Sequence, residues 1–102
     1  MRNIKLLVEY DGKNYVGWQR QENGTSIQGT IESVLNQILQ ESVNVIGAGR
    51  TDSGVHARGQ IGNFRSQTAL SVEQIRGGLN ALLPQDIVIL HAEEVAEDFH
   101  AR

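Results

Sequence analysis

The glycine-rich segment from Gly47 to Ala57 concentrates the residue types that carry out chemistry. It holds Arg50, Asp52 and His56, directly after a short β-branched run. Arg50 and Asp52 are two residues apart, so on an extended backbone both side chains point the same way. A neighbouring guanidinium keeps a carboxyl group ionised, and a carboxylate serves as a nucleophile or a base. The spacing therefore makes Asp52 a candidate catalytic residue. The alternative, a surface ion pair on an Asp-Ser-Gly turn, stays open.

Other motifs for phosphate binding or nucleophilic catalysis do not fit this segment. A dinucleotide-binding G-x-G-x-x-G would require glycine where Asp52 stands, and no P-loop Gly-Lys-Ser/Thr occurs. A triad of Ser53, His56 and Asp52 is disfavoured because one short turn cannot hold three groups in the required mutual orientation. We expect His56 instead to orient the loop through a hydrogen bond.

A second cluster, residues 15–21, combines an aromatic side chain with hydrogen-bonding groups. Trp18 lies beside Arg20 and two glutamines. An exposed tryptophan in such a setting stacks on an unpaired base, which makes Trp18 a candidate substrate-binding residue. Large aromatic residues in loops are usually buried, however, and this favours the interpretation of Trp18 as the anchor that holds the loop against a sheet.

Hydrophobic periodicity predicts the elements that must position these residues. Strands are predicted over 4–10, 43–46, 60–65 and 87–90, and amphipathic helices over 27–39 and 72–82. The order β-α-β-β-α-β is typical of an α/β (α+β) domain of the ferredoxin-like split βαβ type. In that fold, two helices pack on one face of a four-stranded antiparallel sheet.

Local signals add detail to this prediction. Capping-box spacing links Thr25 to Gln28 and Ser71 to Gln74, at the starts of the two helices. Pro84 is expected to end the second helix. The apolar strand over 87–90 is predicted to lie centrally in the sheet, and the acidic stretch that follows it is predicted to lie on the surface.

Composition indicates one domain, and its charge balance bears on nucleic-acid binding. The chain has 102 residues, 39% of them hydrophobic, and a formal net charge of −3. Small proteins that wrap nucleic acid are usually basic, so the net charge by itself argues against that role. The charge is uneven, because residues 1–65 carry seven basic and six acidic side chains whereas residues 66–102 carry two and six.

Cysteine is absent and the three histidines are scattered, so we expect no disulfide and no metal site. The sequence has no apolar segment that would serve as a signal peptide or cross a membrane. A cytoplasmic protein with no membrane association is therefore expected.

Five stretches of the chain together resemble the TruA-type tRNA pseudouridine synthases. They are Tyr10-Asp11-Gly12, Gly17-Trp18-Gln19-Arg20-Gln21, Gly49-Arg50-Thr51-Asp52-Ser53-Gly54-Val55-His56-Ala57, Asn80-Ala81-Leu82-Leu83-Pro84 and Phe99-His100-Ala101-Arg102. The resemblance runs through essentially the whole chain, and the third stretch is its most specific part.

The resemblance implies an isomerase that converts uridine to pseudouridine in the anticodon stem-loop of tRNA, with no metal and no organic cofactor. It makes Asp52 the catalytic aspartate and gives Arg50 the task of helping to evert the target base. Arg20, Arg58 and Arg102 become candidates for phosphate contacts, and Arg58 lies outside the signature stretch.

The resemblance also implies that this chain is one half of a longer protein. Members of the family contain two similar α/β halves and act as homodimers, so residues 1–102 are expected to be a single domain, the N-terminal half that bears the catalytic loop. With the C-terminal half absent, the chain alone is expected to be inactive. The alternative is a non-catalytic RNA-binding module similar to an RRM, for which the third strand offers Phe64 as its one stacking aromatic.

Overall fold

A computed structural model describes residues 1–15, 17, 18, 24–47 and 57–101, apart from the side chains of Asn14, Ala57 and Arg58. The elements are β1 (Arg2–Tyr10), a 3-10 turn (Gly12–Asn14), α1 (Ile27–Leu39), β2 (Ile46–Gly47), β3 (Ala57–Ser66), α2 (Val72–Leu82) and β4 (Ile87–Val95). The predicted β-α-β-β-α-β order is confirmed. Within the described part of the chain, neither helix has the length and the hydropathy that a membrane span requires.

The four strands form one antiparallel sheet in the order β2-β3-β1-β4. Alternate side chains of β1 point to opposite faces, and Ile4, Leu6 and Val8 are fully buried on the face that carries the helices. The helical stripes close this core, with Ile31 of α1 and Ile75 of α2 among the fully buried residues. We call the opposite face of the sheet the open face.

The prediction that 87–90 lies centrally is wrong, because β4 is an edge strand. Ile87 and Ile89 face the core, whereas Val88 and Leu90 point away from it and are 41% and 42% exposed. A count of apolar residues does not separate these two faces. Asn80 partly closes the free edge, since its Oδ1 accepts from the Ile89 N–H at 2.8 Å and its Nδ2 donates to the Ile89 carbonyl at 3.0 Å.

The acidic stretch after residue 90 begins inside β4 rather than after it. Glu93 lies 3.4 Å from Lys5 Nζ, and Glu94 accepts from Arg2 Nε at 3.0 Å. The strand therefore continues to Val95, because neighbouring cations on β1 balance the two carboxylates.

The two helix starts differ in how well sequence spacing predicts them. At α2 the predicted capping box is confirmed: Ser71 Oγ accepts from Gln74 N at 3.1 Å, and the Gln74 side chain accepts from Ser71 N at 2.9 Å. At α1 the predicted Thr25–Gln28 box is wrong, because Ser26 is the N-cap and accepts from Gly29 N at 3.0 Å. The Gln28 side chain bonds instead to the Val45 carbonyl.

Two adjacent glycines, Gly77 and Gly78, lie in the middle of α2, where glycine costs conformational entropy. A Cβ on Gly78 would come within 3.1 Å of Ile38 Cδ1 of α1, whereas a Cβ on Gly77 would meet no atom within 4 Å. We expect Gly77→Ala to raise the free energy of unfolding by about 0.5–1 kcal/mol. Urea unfolding measures this, with Gly78→Ala as the matched control, for which the contact with Ile38 offsets the gain.

Candidate active site

The segment that carries Arg50, Asp52 and His56 joins β2 to β3. Residues 48–56 lie outside the described residues, as do Arg20 and Arg102, and Arg58 is described only as a backbone position within β3. Of the predicted site residues, Trp18 is the one whose side chain is described. The structure therefore describes the two strand ends that flank the segment 48–56.

The two ends of that segment are attached to different points along β3. Gly47, the last residue of β2, pairs with Gly62 in the middle of β3, and Ala57, the first residue of β3, pairs with Tyr10 of β1. Ala57 and Gly62 are five residue steps apart, which corresponds to roughly 17 Å along an extended strand. The two described residues that flank the segment therefore lie at well-separated points of the sheet.

Trp18 lies at the departure point of the segment and is 3% exposed. A Cβ on Gly47 would collide with Trp18 Nε1 and stand 2.6 Å from its Cε2, and a Cβ on Gly62 would lie 3.1 Å from Val45 Cγ1 and 3.6 Å from Trp18 Cζ2. Glycine is therefore required at position 47, because the indole ring occupies the space of a Cβ there. At Gly62 the tight neighbour is Val45, and the indole ring lies at ordinary contact distance. The ring holds the end of β2 against the core, as the anchor interpretation expects, and stacking on a base would require it to leave the core.

The backbone around Trp18 is held by the start of α1. The Ile27 N–H donates to the Gly17 carbonyl at 3.0 Å, and the Gln28 N–H donates to the Trp18 carbonyl at 2.8 Å. These are N–H groups that a helix start leaves without intrahelical partners. Gly17 adopts a φ of 110°, a conformation that favours glycine, and the Tyr10 ring lies 6.0 Å from the Trp18 ring.

Side chains of α1 also hold the residues that lead into β2. Glu32 Oε2 accepts from the Val45 N–H at 2.8 Å, Gln28 Nε2 donates to the Val45 carbonyl at 2.8 Å, and Asn36 Oδ1 accepts from the Val43 N–H at 2.9 Å. The strand predicted over 43–46 is consequently shorter, since both backbone groups of Val45 bond to helix side chains instead of a strand. Sequence reasoning missed Gln28, Glu32 and Asn36, although their i, i+4 spacing on one helix face was a usable signal.

A second attachment holds the loop between β1 and α1. The Tyr15 hydroxyl donates to Asp86 Oδ1 at 2.7 Å, and the Asp11 N–H donates to the Asp86 carbonyl at 2.9 Å. Burial raises the pKa of Tyr15 well above the usual tyrosine value, and the hydrogen bond and negative charge of Asp86 raise it further. The loop that leads to Trp18 is thus fastened to the turn before β4.

This attachment predicts a loss of stability at high pH. Because the pKa of Tyr15 is higher in the folded than in the unfolded chain, its contribution is fully present below pH about 10 and is lost as the pH rises towards the raised value. We expect the difference in unfolding free energy between the unmodified chain and Tyr15→Phe to narrow above pH about 10. Urea unfolding of both proteins between about pH 8 and 11.5 measures this, and a constant difference would contradict it.

Among the residues that the structure describes, no group of three or more histidine, cysteine or acidic side chains could hold a metal ion. What these residues provide is a rigid support. Trp18 and the start of α1 fix the end of β2, while the pairing with Tyr10 fixes the start of β3. Such a support holds the ends of a loop whose side chains must keep a precise geometry.

Comparison with known proteins shows a match along almost the whole chain. A family model described as a tRNA pseudouridine synthase matches residues 6–102. The chain is 49% identical over 102 residues to tRNA pseudouridine synthase A 2 of Clostridium perfringens. It is 55% identical over 103 residues to tRNA pseudouridine synthase A of Chlorobium phaeovibrioides, and 50% identical over 102 residues to that of Acetivibrio thermocellus. Each match covers 100% of this chain and 42% of the relative.

Proposed function

The chain belongs to the tRNA pseudouridine synthase family, and we propose that it is the N-terminal, aspartate-bearing half of an enzyme that isomerises uridine to pseudouridine in the anticodon stem-loop of tRNA. Because it spans 42% of the length of these relatives, the remainder of the enzyme would supply further active-site residues. In this proposal the working enzyme is a cytoplasmic homodimer whose partner is tRNA.

The proposed reaction suits a site with one carboxylate. The bond between N1 of uracil and the ribose C1′ breaks, a bond between C5 and C1′ forms, and the proton on C5 is lost while N1 gains one. Reactants and product are isomers, so no redox partner is consumed. Asp52 would act by adding to the sugar or the base, or by taking a proton, and each role requires an ionised carboxylate. Arg50 would favour that ionised form.

The observation that carries the proposal is the support around the segment 48–56. Trp18 lies against Gly47 at one end, and the pairing of Ala57 with Tyr10 holds the other end. A catalytic carboxylate on a loop needs such fixed ends, because a displacement of about 1 Å can lower the rate about 10²-fold. The family match and the Arg50-Thr51-Asp52 sequence support the proposal that the chemistry takes place on that loop.

The remaining predicted site residues are assigned to RNA binding in this proposal. Arg50 would help to evert the target base, which must leave the stack before its glycosidic bond can be reached. Arg20, Arg58 and Arg102 would contact phosphates, and His56 would orient the loop. Binding carried by these residues would weaken steeply with added salt, because phosphate contacts release counterions.

The isolated chain is expected to fold but not to turn over. It has its own hydrophobic core, whereas the proposed enzyme draws part of its site from the C-terminal half. Release of tritium from tRNA labelled at C5 of uracil measures turnover, and the full-length enzyme is the positive control. Turnover by the 102-residue chain at the full-length rate would refute the proposed division of the site.

An RNA-binding module similar to an RRM is the competing function, and Phe64 weighs against it. An RRM stacks bases on aromatic residues of its open face. Phe64 is 1% exposed and pairs with Ile4, on the face that carries the helices. Binding of an anticodon stem-loop compared with an unstructured RNA of equal charge separates the two functions, since a synthase half should prefer the shaped substrate.

A further inference from the structure

Residues 96–101 fold back over the open face of the sheet, and we call this segment the strap. It leaves β4 after Val95, which pairs with Asn3 of β1, and it reaches β3, where the Ala101 N–H donates to Asn63 Oδ1 at 2.9 Å. Asn63 in turn pairs with Ile46 of β2. The strap therefore crosses β1 and reaches β3, the strand that pairs with β2.

Two buried asparagines hold the strap. Asn3 and Asn63 are 1% and 0% exposed, and Asn63 Nδ2 donates to Asn3 Oδ1 at 2.9 Å. Asn3 Nδ2 donates to the carbonyls of Ala96 at 3.0 Å and Phe99 at 2.9 Å. In both asparagines, the side-chain oxygen and the Nδ2 group therefore have hydrogen-bond partners. A buried polar network in which every group is hydrogen-bonded favours one arrangement of the chain.

Further contacts reinforce the strap at its two margins. Arg65 donates to the Glu97 carbonyl at 2.7 Å, and Lys5 Nζ lies 5.7 Å from the centre of the Phe99 ring. Asparagine is disfavoured in strands, and a simple solvent-facing sheet would not require buried amides at two central positions. The placement of Asn3 and Asn63 is accounted for by their hydrogen bonds to the strap.

We propose that Asn3 and Asn63 are positioning residues, which hold residues 96–101 against the open face and so fix the point, beside Asn63 of β3, from which the polypeptide continues towards the C-terminal half. Ile46, opposite Asn63, comes one residue before the end of β2, from which the segment 48–56 departs. From strand spacing and rise, the end of the strap stands roughly 10 Å from that point. This inference rests on the proposed function, since it is the C-terminal half of the enzyme that the strap would direct towards the catalytic segment.

The test uses the distance between the strap and β2. The chain contains no cysteine, so Asn44→Cys and His100→Cys, both at exposed positions, give two unique sites for spin labels. We expect one narrow distance distribution in the otherwise unmodified chain. The background variant is Asn3→Leu with Asn63→Leu. It replaces both partners of the Asn3–Asn63 hydrogen bond, and the strap backbone groups that bonded to the asparagines can bond to water once the strap is released. In that background we expect the distribution to broaden.

The matched control pair is Asn44→Cys with Ala81→Cys, which is expected to stay narrow in both backgrounds because neither position lies on the strap. Two results for the distance between the labels at positions 44 and 100 would overturn the proposal. One is a broad distribution when Asn3 and Asn63 are both present, and the other is a narrow distribution after both are replaced. If the double leucine variant does not fold, amide exchange of Ala101 in the unmodified chain decides. We expect protection of about tenfold or more over an unstructured peptide, and no protection would overturn the proposal.

These measurements do not depend on catalysis. An inactive full-length enzyme would contradict the proposed function and leave the strap result unchanged. A mobile strap in an active enzyme would contradict only the positioning role of Asn3 and Asn63.

Discussion

The Asp52→Asn variant of the full-length enzyme should bind tRNA and form no pseudouridine. The amide that replaces the carboxylate has nearly the same shape, so contacts that depend on loop geometry are retained. It carries no negative charge and neither adds to an electrophilic carbon nor accepts a proton at neutral pH. Acid–base and nucleophilic groups of this kind contribute factors of about 10²–10⁴ or more to rates, so we expect at least that loss.

Tritium release from C5-labelled tRNA measures turnover of this variant, and retention of labelled tRNA by the protein measures binding. Asp98→Asn is the matched control, because it makes the same chemical change at an exposed aspartate outside the segment 48–56. We expect Asp98→Asn to be active. Activity of Asp52→Asn near that of the control would remove Asp52 from the catalytic role.

The second large effect is expected from Trp18→Ala. The indole ring is buried beside the Tyr10 ring and against Gly47 and Gly62, so its removal leaves a large cavity. Substitutions of this kind lower the free energy of unfolding by about 3–5 kcal/mol. Since the same ring holds the end of β2, the ends of the segment 48–56 should also lose their fixed separation. If that segment carries the proposed catalytic aspartate, turnover of the full-length enzyme should fall together with stability.

A double-mutant cycle tests whether the Trp18 ring is the reason that position 47 requires glycine. In the unmodified chain, Gly47→Ala forces a methyl group against the indole ring, and we expect a loss of about 1–3 kcal/mol. In the Trp18→Ala background the space is free, and the cost of Gly47→Ala should fall by most of that amount. If the losses of unfolding free energy from Gly47→Ala and Trp18→Ala simply add in urea unfolding, the ring is not the reason that position 47 requires glycine. Val88→Ala, at an exposed position, is the control and is expected to change stability little.

The elements were predictable because their signals lie within a few residues. The alternation of Ile4, Leu6 and Val8 predicted β1, which extends to Arg2 at its start, and the Ser71–Gln74 spacing predicted the start of α2. The residues of the candidate site were also identifiable in sequence, since Arg50 and Asp52 lie two positions apart. Their local arrangement is outside the described residues, and their roles stay predictions.

Other features depend on residues that are distant in sequence. The position of β4 at the edge follows from pairing with β1, some 80 residues earlier, and the apolar content of β4 carries no information about that choice. The Thr25–Gln28 box failed because the carbonyl of Val45 offers Gln28 a partner. Each local pattern was compatible with more than one tertiary partner.

The sequence by itself thus determined the order of the elements, the face of each helix that is buried, and the family to which the chain belongs. Periodicity and short motifs are local properties, and they survive any arrangement of the strands. Only the tertiary structure decided that Trp18 is the anchor above Gly47, that Val45 is held by α1, and that Asn3 and Asn63, 60 residues apart, meet to hold the strap. The role of a buried polar group or of a glycine depends on the atoms that surround it, and those atoms come together only when the chain has folded.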